Sequence, residues 1–226
     1  MNFLSLAQRL RQETGGISGT GPVTVVSQTG EMKKVVDWVE FAYEDIQNLH
    51  LDWDFLRFDV SFPTIAATQT YTASSAGYPE YGEWVQDSFR SYLTATGVSV
   101  ERPMLWKDWE DFRNLYMMGS IRATTGQPLY IAQKPDTSLI MWPIPNAVYT
   151  VVGEYFKRPQ TMTVDADIPL IPAKFHMIIV WRALMLYAGQ YAAPEMYAVG
   201  QKEYRRLLNE MEASQLPDMR MGETLV

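Results

Sequence analysis

The sequence has no cysteine and little histidine, and both shortages exclude classes of chemistry. Without cysteine, the 226 residues hold no disulfide scaffold, thiolate zinc site, iron–sulfur cluster or cysteine nucleophile. The two histidines, His50 and His176, are far apart in the sequence, so a mechanism that needs several imidazoles is nearly excluded. A function that depends on these side chains is therefore not expected.

Positive charge is also scarce. The chain has 19 lysine and arginine residues against 26 acidic ones, which gives a net charge of -7 at pH 7. A sequence-independent DNA or RNA coat displaces counterions with basic side chains, so this balance argues against such a coat. With 47% apolar residues and 20% charged residues, the chain is expected to fold rather than to be disordered.

Long apolar runs are missing as well. The most apolar run, Phe175–Ala188, spans 14 residues and contains His176 and Arg182, so it is too short and too polar to cross a bilayer. It predicts a buried helix instead. Met1–Leu10 is interrupted by polar residues and does not have the pattern of a signal peptide. We therefore expect no membrane segment.

Helical periodicity is present at both ends of the chain, and alternation in the middle. The predicted helices cover Asn2–Thr14, Glu31 to about Leu49, Ala173–Gly189 and Glu195–Ala213, with a short helix at Lys107–Met117. The predicted strands are Phe55–Phe62, Gln69–Ala73, Asp87–Thr94, Val98–Trp106, Leu129–Gln133, Ser138–Trp142 and Tyr149–Lys157. Tyr78–Trp84 is predicted to be a loop, because Pro79 and Gly82 interrupt it.

This arrangement predicts an α+β fold, with a helical bundle formed by the N- and C-terminal helices and an antiparallel β-rich insertion. The helical body is expected at 1–52 and 165–213, the insertion at 53–164 and an extended C-terminal tail at 214–226.

No motif forms a catalytic constellation. Asp52-Trp53-Asp54 and Asp165-Ala166-Asp167 each space two carboxylates as in a cation site, but such a site needs further oxygen ligands and no EF-hand loop surrounds either pair, which favours solvated or capping carboxylates. Gly15–Gly21 lacks the Lys-Ser/Thr of a phosphate loop and predicts a flexible loop. We therefore predict no catalytic residue, no metal and no cofactor. An enzyme that uses one of the acidic pairs with a divalent cation is an alternative, ranked below the two functions given at the end of this section.

Aromatic residues, 13% of the chain, offer candidate surfaces. Trp38 and Phe41 stand off the apolar stripe of the second predicted helix, which suggests packing against another part of the chain or another subunit. A cluster of five aromatic residues has three interpretations: the core and a turn of the β-rich region, which the sequence favours, a platform for stacking sugars, or a protein interface, where Tyr and Trp are enriched. The cluster consists of Tyr78, Tyr81, Trp84, Phe89 and Tyr92.

The order of motifs along the chain resembles that of bacteriophage head–tail adaptor proteins, also called head-completion, connector or tail tubular A-like proteins. The N-terminal motifs are Arg9-Leu10-Arg11-Gln12-Glu13, Gly15–Pro22, Gln28-Thr29-Gly30-Glu31, Val36-Asp37-Trp38-Val39, Ala42–Ile46 and Asp52-Trp53-Asp54-Phe55. The later ones are Gln127-Pro128-Leu129-Tyr130, Leu139–Pro145, Tyr149–Pro159 and Ile168–Pro172, which opens an apolar helix containing Ala183.

This resemblance implies a ring, usually of twelve copies, beneath the portal protein at the capsid vertex. Genomic DNA passes through its lumen without sequence-specific binding, and tail or nozzle proteins attach below. The implied location is the head–tail neck of the virion, after assembly in the host cytoplasm. The resemblance carries over no catalytic residue, and a like-charged acidic wall would limit adhesion of DNA in the lumen.

The hypotheses for individual surfaces follow from this picture. Trp38 and Phe41 are candidates for the subunit interface, and Tyr78, Tyr81 and Trp84 for a tail-facing surface. The portal-binding candidates in the tail are Leu216, Pro217, Met219, Met221, Leu225 and Val226, which would become ordered on docking; a frayed terminus is the alternative. The Gly15–Thr29 loop is a further candidate for contact with a neighbouring subunit or the tail. The alternative function is a carbohydrate- or protein-binding β module of a phage tail.

Overall fold

The computed structural model describes residues 1–15 and 21–217, and its elements follow the predicted order. The helices are α1 (Phe3–Glu13), α2 (Gly30–Gln47), α3 (Trp109–Tyr116), α4 (Met177–Gln190) and α5 (Pro194–Gln215). The strands are β1 (Arg57–Pro63), β2 (Thr70–Tyr71), β3 (Tyr81–Trp84), β4 (Arg90–Leu93), β5 (Arg102–Pro103), β6 (Leu105–Trp106), β7 (Thr125–Gly126), β8 (Tyr130–Gln133), β9 (Leu139–Trp142), β10 (Ile144–Pro145) and β11 (Tyr149–Lys157). Helices at both ends and strands between them confirm the α+β class.

The chain divides into two compact units. The helical unit comprises Met1–Leu56 and Pro159–Val226, and the β unit comprises Arg57–Arg158. None of the helices in the described ranges is long and apolar enough to cross a membrane.

In the helical unit, α4 packs against α1, α2 and α5. Its residues are apolar on nearly every face, which suits a helix with neighbours on several sides. A Cβ atom on Gly200 of α5 would lie 3.2 Å from the carbonyl oxygen of Trp181, so the missing side chain lets α5 approach α4 closely. The helix α1 begins where the side chain of Asn2 accepts a hydrogen bond from the backbone N–H of Ser5, at 2.9 Å.

In the β unit, β11 is the central strand. It pairs antiparallel with β1 along one side, from Arg57↔Phe156 to Pro63↔Thr150, and with β3 and β4 on the other. Alternate residues of β11 are buried, as expected for a strand with one face on the core. In the described residues, β5 extends this sheet beyond β4, and a second sheet has the order β2-β9-β8-β6.

Three details of the β unit differ from the sequence-based expectation. Tyr81–Trp84 is a strand instead of a loop, because Gly82 lies against the backbone of β11; a Cβ atom there would meet the carbonyl oxygen of Phe156 at 3.0 Å. Val98–Val100 is a short 3-10 turn instead of the start of a strand, because Gly97 before it turns the chain with a φ of 75°. Two short pairings, β6 with β8 and β10 with β7, are parallel, so the pairing is mixed rather than wholly antiparallel.

Candidate functional site

The first candidate surface is an aromatic patch on the helical unit, formed by Trp38, Phe41, Tyr187 and Tyr191. The ring of Trp38 meets those of Tyr187 and Tyr191 edge-on, with centroids 5.6 and 6.2 Å apart, and the two tyrosines pack together at 4.7 Å. Phe41 follows Trp38 by one helical turn and is 56% exposed. The patch therefore leaves the apolar rings of Phe41 and Tyr191 exposed, with Trp38 and Tyr187 half-buried beside them.

Charged side chains accompany this aromatic patch. Asp45, one turn beyond Phe41 on α2, accepts a hydrogen bond from Nε of Arg182 on α4 at 2.7 Å. The guanidinium group of Arg182 also lies over the ring of Tyr204, 5.9 Å from its centroid. Burial raises the pKa of Tyr204, so its hydroxyl stays neutral. An apolar centre with paired charges nearby matches the general anatomy of protein interfaces.

The predicted tail-facing aromatic residues, Tyr78, Tyr81 and Trp84, are buried to different extents. Trp84 is only 3% exposed and stacks on Tyr81 at 4.3 Å, so it belongs to the core of the β unit. Tyr81 is half-buried; its hydroxyl accepts a hydrogen bond from Gln133 at 2.9 Å, and burial raises its pKa to about 12. Of the three interpretations of this cluster, burial favours the core for Trp84. A partner surface at Tyr78 and Tyr81 stays a prediction.

Tyr78 closes the open side of an edge strand. Its hydroxyl accepts a hydrogen bond from the backbone N–H of Ser61 at 2.7 Å and donates one to the Ser61 carbonyl oxygen at 2.9 Å. Ser61 lies in β1, the outer strand of its sheet, where unpaired backbone groups can template pairing with another chain. The exposed charges of Arg57 and Asp59 further guard this edge. Addition of a partner strand is thus disfavoured here.

The predicted portal-binding tail is only partly described. The helix α5 continues through Gln215, two residues beyond its predicted end. Leu216, which is half-buried, and Pro217, which is exposed, follow it. The other candidates, Met219, Met221, Leu225 and Val226, lie outside the described residues. The portal-binding role stays a prediction.

The two acidic pairs have different surroundings. The carboxylate of Asp165 accepts hydrogen bonds from the backbone N–H of Val25 at 2.6 Å and the hydroxyl of Thr24 at 3.0 Å. That of Asp167 caps the backbone N–H groups of two residues upstream of it in its own loop. Asp52 and Asp54 are exposed. Across 1–15 and 21–217, no group of three or more histidine or acidic residues is arranged to hold a metal ion.

Both histidines make structural contacts. His50 pairs with Glu212 of α5 at 3.0 Å and lies edge-on to Trp53. His176 is buried; its Nε2 donates to the carbonyl oxygen of Ile171 at 2.9 Å, and its Nδ1 accepts from the amino group of Met1 at 2.6 Å. Burial lowers the pKa of His176, which favours the neutral ring that this pattern requires.

One end of the β unit forms a surface that no sequence motif indicates. The segments 63–69, 94–100 and 143–149 meet there and contain no charged residue. The sequence does contain a sign of this surface: residues 60–79 and 137–153 are two long runs without a charged residue, in a chain where one residue in five is charged. We name this surface the uncharged tip. Its most exposed apolar side chains are Ile65, Val98 and Val148.

Two clefts are lined entirely by residues that the structure describes. A cleft of about 330 Å³ in the helical unit, the helical groove, has Phe3, Val25, Val36 and Met162 among its apolar lining residues. A cleft of about 360 Å³ in the β unit is lined by Trp106, Trp109, Gln133 and Lys134, among others. Both volumes are at the lower end of the range of ligand pockets, about 300–1,000 Å³.

Comparison with known protein families identifies a relationship over nearly the whole chain. None of the curated proteins matches the chain. The model of the SU10 adaptor protein family matches residues 1–224, which is nearly the entire sequence. This match confirms the resemblance to phage head–tail adaptors and agrees with a structural role. The chain therefore belongs to the SU10 adaptor protein family, whose members are structural proteins of bacteriophages.

Proposed function

We propose that the protein assembles into a ring beneath the portal, extends the DNA channel and provides the attachment site for tail proteins. Twelve copies are the expected number, from the resemblance to head–tail adaptors. Membership of an adaptor family supports a role in joining other phage proteins. The observation that carries self-assembly is the aromatic patch, because its rings pack together and leave Phe41 and Tyr191 exposed at the surface of the helical unit.

In the proposed ring, the aromatic patch is a contact between neighbouring copies. A closed ring uses head-to-tail contacts, in which each copy buries one surface against a different surface of the next. Trp38 is already held by Tyr187 and Tyr191, so little conformational freedom is lost when a neighbour covers it. Burying the side chain of Phe41 would contribute about 1.5–3 kcal/mol to each contact.

The remaining contacts are assigned by position. Leu216 and Pro217 begin the segment that we propose binds portal, together with Met219, Met221, Leu225 and Val226. Tail proteins attach on the other side of the ring. The net charge of -7 supports passage of DNA without strong adhesion to the lumen.

A test of this function measures the mass of the purified full-length protein, alone and with portal, by native mass spectrometry or sedimentation. We expect rings or ring–portal complexes. Phe41→Asp should weaken association between copies by about tenfold or more, because each 1.4 kcal/mol corresponds to a factor of ten. Leu51→Asp is the control, since Leu51 is 75% exposed and lies outside the patch. A chain that stays monomeric with portal, and is absent from the neck in images of virions, would contradict the proposal.

A carbohydrate-binding module remains the second candidate, because the cleft at Trp106 and Trp109 pairs two indole rings with the amide of Gln133. Aromatic rings beside hydrogen-bonding groups suit a sugar ring. Glycan-array binding by a monomer that loses signal in Trp109→Ala would favour this candidate over the adaptor ring.

A further inference from the structure

The helical unit is built from two parts of the chain that are far apart in sequence. Its first part, Met1–Leu56, supplies α1 and α2, and its second part, Pro159–Val226, supplies α4 and α5. The β unit, Arg57–Arg158, is one continuous segment between them. A continuous unit can fold as soon as it has been synthesised, whereas a discontinuous unit has to wait for its second part.

The β unit has a hydrophobic core of its own. A cluster of buried residues that includes Val60, Trp84, Phe89, Val151 and Tyr155 is formed entirely by this unit. The first strand of the unit, β1, pairs with the last, β11. A continuous segment of about 100 residues with its own core has the usual size of a domain that folds by itself. The β unit therefore has what it needs to fold before the helical unit.

Neither part of the helical unit buries all of its apolar residues alone. The helix α4 of the second part packs against α1 and α2 of the first, and its buried residues include Ile178, Val180 and Leu184. The buried residues of α2 include Val35 and Val39. Isolated helices are marginally stable in water, and most of the stability of a helix in a protein comes from packing of its apolar face. The helices therefore depend on contact between the two parts.

Buried hydrogen bonds of α2 also require both parts. The side chain of Gln47 is buried; its Oε1 accepts from the backbone N–H of Gln160 at 2.8 Å, and its Nε2 donates to the Gln160 carbonyl oxygen at 3.0 Å. The hydroxyl of Tyr43 accepts from the backbone N–H of Leu170 at 2.8 Å. A buried polar group without its partner is costly, so α2 reaches its final environment only when the second part is in place.

Pairing of β1 with β11 brings the two ends of the β unit together. Arg57 pairs with Phe156, and the backbone N–H of Arg158 donates to the carbonyl oxygen of Glu80 at 2.9 Å. An unfolded connection of about 100 residues has to be closed by chance, whereas a folded one with adjacent ends acts as a connection of a few residues. From the dependence of loop closure on length, this makes an encounter of the two helical parts roughly a hundredfold more probable.

We infer that the β unit folds first and joins the two parts of the helical unit, so that the aromatic patch forms only in chains whose β unit is complete. The patch takes Trp38 and Phe41 from the first part and Tyr187 and Tyr191 from the second. The consequence for assembly rests on the proposed function: a chain whose β unit has not folded has no patch and stays out of the ring.

Pulsed hydrogen exchange with mass spectrometry tests the order of folding in the full-length protein. The protein is refolded from urea by dilution to a concentration too low for association, labelled at increasing times and digested with pepsin. We expect peptides from β1 and β11 to become protected before peptides from α2 and α4. Earlier protection of α2 and α4, or protection of all four elements in a single phase, would overturn the inference.

Val151→Asp and Val180→Asp are a matched pair, because each places a charge at a fully buried valine, one in β11 and one in α4. Val151→Asp should unfold the β unit and lower the protection of α2 and α4 by about a hundredfold, through loss of the joined ends. Val180→Asp should expose the helices to exchange and leave β1 and β11 protected. A fall of less than tenfold in α2 and α4 when β11 exchanges freely, or loss of protection in β11 of Val180→Asp, would overturn the inference.

Association separates this inference from the proposed function. Val151→Asp should form no ring with portal under conditions in which the natural protein does, as measured by native mass spectrometry. Rings of Val151→Asp in which β11 exchanges freely would overturn the inference and leave the proposed function intact. Failure of the natural protein to form rings, with or without portal, would overturn the proposed function, and the order of protection would still decide whether the β unit folds first.

Discussion

The two units of the molecule both bury aromatic side chains, but they differ in the ones they leave exposed. In the β unit, Trp84 and Phe89 are buried in the core. In the helical unit, Phe41 and Tyr191 lie at the surface beside the half-buried Trp38. Aromatic content alone therefore does not locate an interface in this protein. Burial, which depends on contacts distant in sequence, separates a core cluster from a candidate contact surface.

Charge is also distributed differently. The helical unit carries ion pairs along its helices, such as Arg9–Glu13 on α1 and Arg206 with Glu203 and Glu210 on α5. Such exposed pairs contribute little to stability but keep these faces solvated. The β unit leaves one end without charge. A surface that avoids charge in an acidic chain is a stronger sign of contact than an apolar side chain on its own.

The largest expected effect is the difference in unfolding free energy between two alanine variants, one of a core aromatic residue and one of a surface aromatic residue. Trp84→Ala should lower the free energy of unfolding by about 3–5 kcal/mol, because it empties a large volume in the β-unit core. Phe41→Ala should change it by no more than about 0.5 kcal/mol, since the side chain is exposed in the single chain. Urea denaturation followed by circular dichroism checks this, and equal losses would remove the contrast between the units.

Alanine substitutions of two glycines, one in each unit, are expected to change stability in opposite directions. A Cβ atom on Gly153 in β11 would lie 2.7 Å from Cδ1 of Phe89, so Gly153→Ala should destabilise the protein by about 1–3 kcal/mol. Gly189 in α4 has no atom within 4 Å of such a position, so Gly189→Ala should stabilise by about 0.5–1 kcal/mol. Thermal unfolding of the two variants measures the difference, and a loss in both would argue against the packing described around Phe89.

A smaller effect is expected at the sheet edge. Tyr78→Phe removes the hydroxyl that bonds both backbone groups of Ser61, so it should cost about 0.5–1.5 kcal/mol and increase aggregation through β1. Tyr197→Phe is the control at an exposed tyrosine of α5. Light scattering at high concentration follows the aggregation. Indistinguishable variants would show that Arg57 and Asp59 suffice to protect the edge.

The smallest effect is the pH dependence of His176. Because its pKa is lowered in the folded protein, the unfolded chain binds the proton first as the pH falls below about 6.5, and stability decreases there. The stability difference between the natural protein and His176→Gln, measured from pH 8 to pH 5, should therefore shrink as the pH falls. A constant difference would contradict burial of a neutral ring.

The sequence predicted the elements that have a clear local period. The apolar stripe of α2 and the alternation of β11 placed both within two residues of their observed ends. The strand Tyr81–Trp84 was missed because Gly82, which suggested a loop, is needed for close approach to β11. Local patterns do not show which distant segment will lie against a glycine.

The candidate surfaces were predictable to a smaller extent. Trp38 and Phe41 were noticed because they stand off the stripe of α2, but Tyr187 and Tyr191 lie in and just after a helix so apolar that no face is distinguished. The uncharged tip joins segments that are distant along the chain: Thr64 bonds to Tyr149, 85 residues away, and Thr94 bonds to Val148. Only the strand register brings those segments to one end of the sheet.

The double hydrogen bond between Tyr78 and Ser61 has a consequence for the proposed assembly. Copies tethered side by side on a common scaffold experience millimolar effective concentrations of one another, at which even weak unintended pairing becomes populated. The Tyr78 hydroxyl bonds both the N–H and the carbonyl oxygen of Ser61, so these two groups of the outer strand β1 are not available to pair with another copy. At such concentrations, specific side-chain contacts between copies are then favoured over backbone hydrogen bonds, which any polypeptide can form.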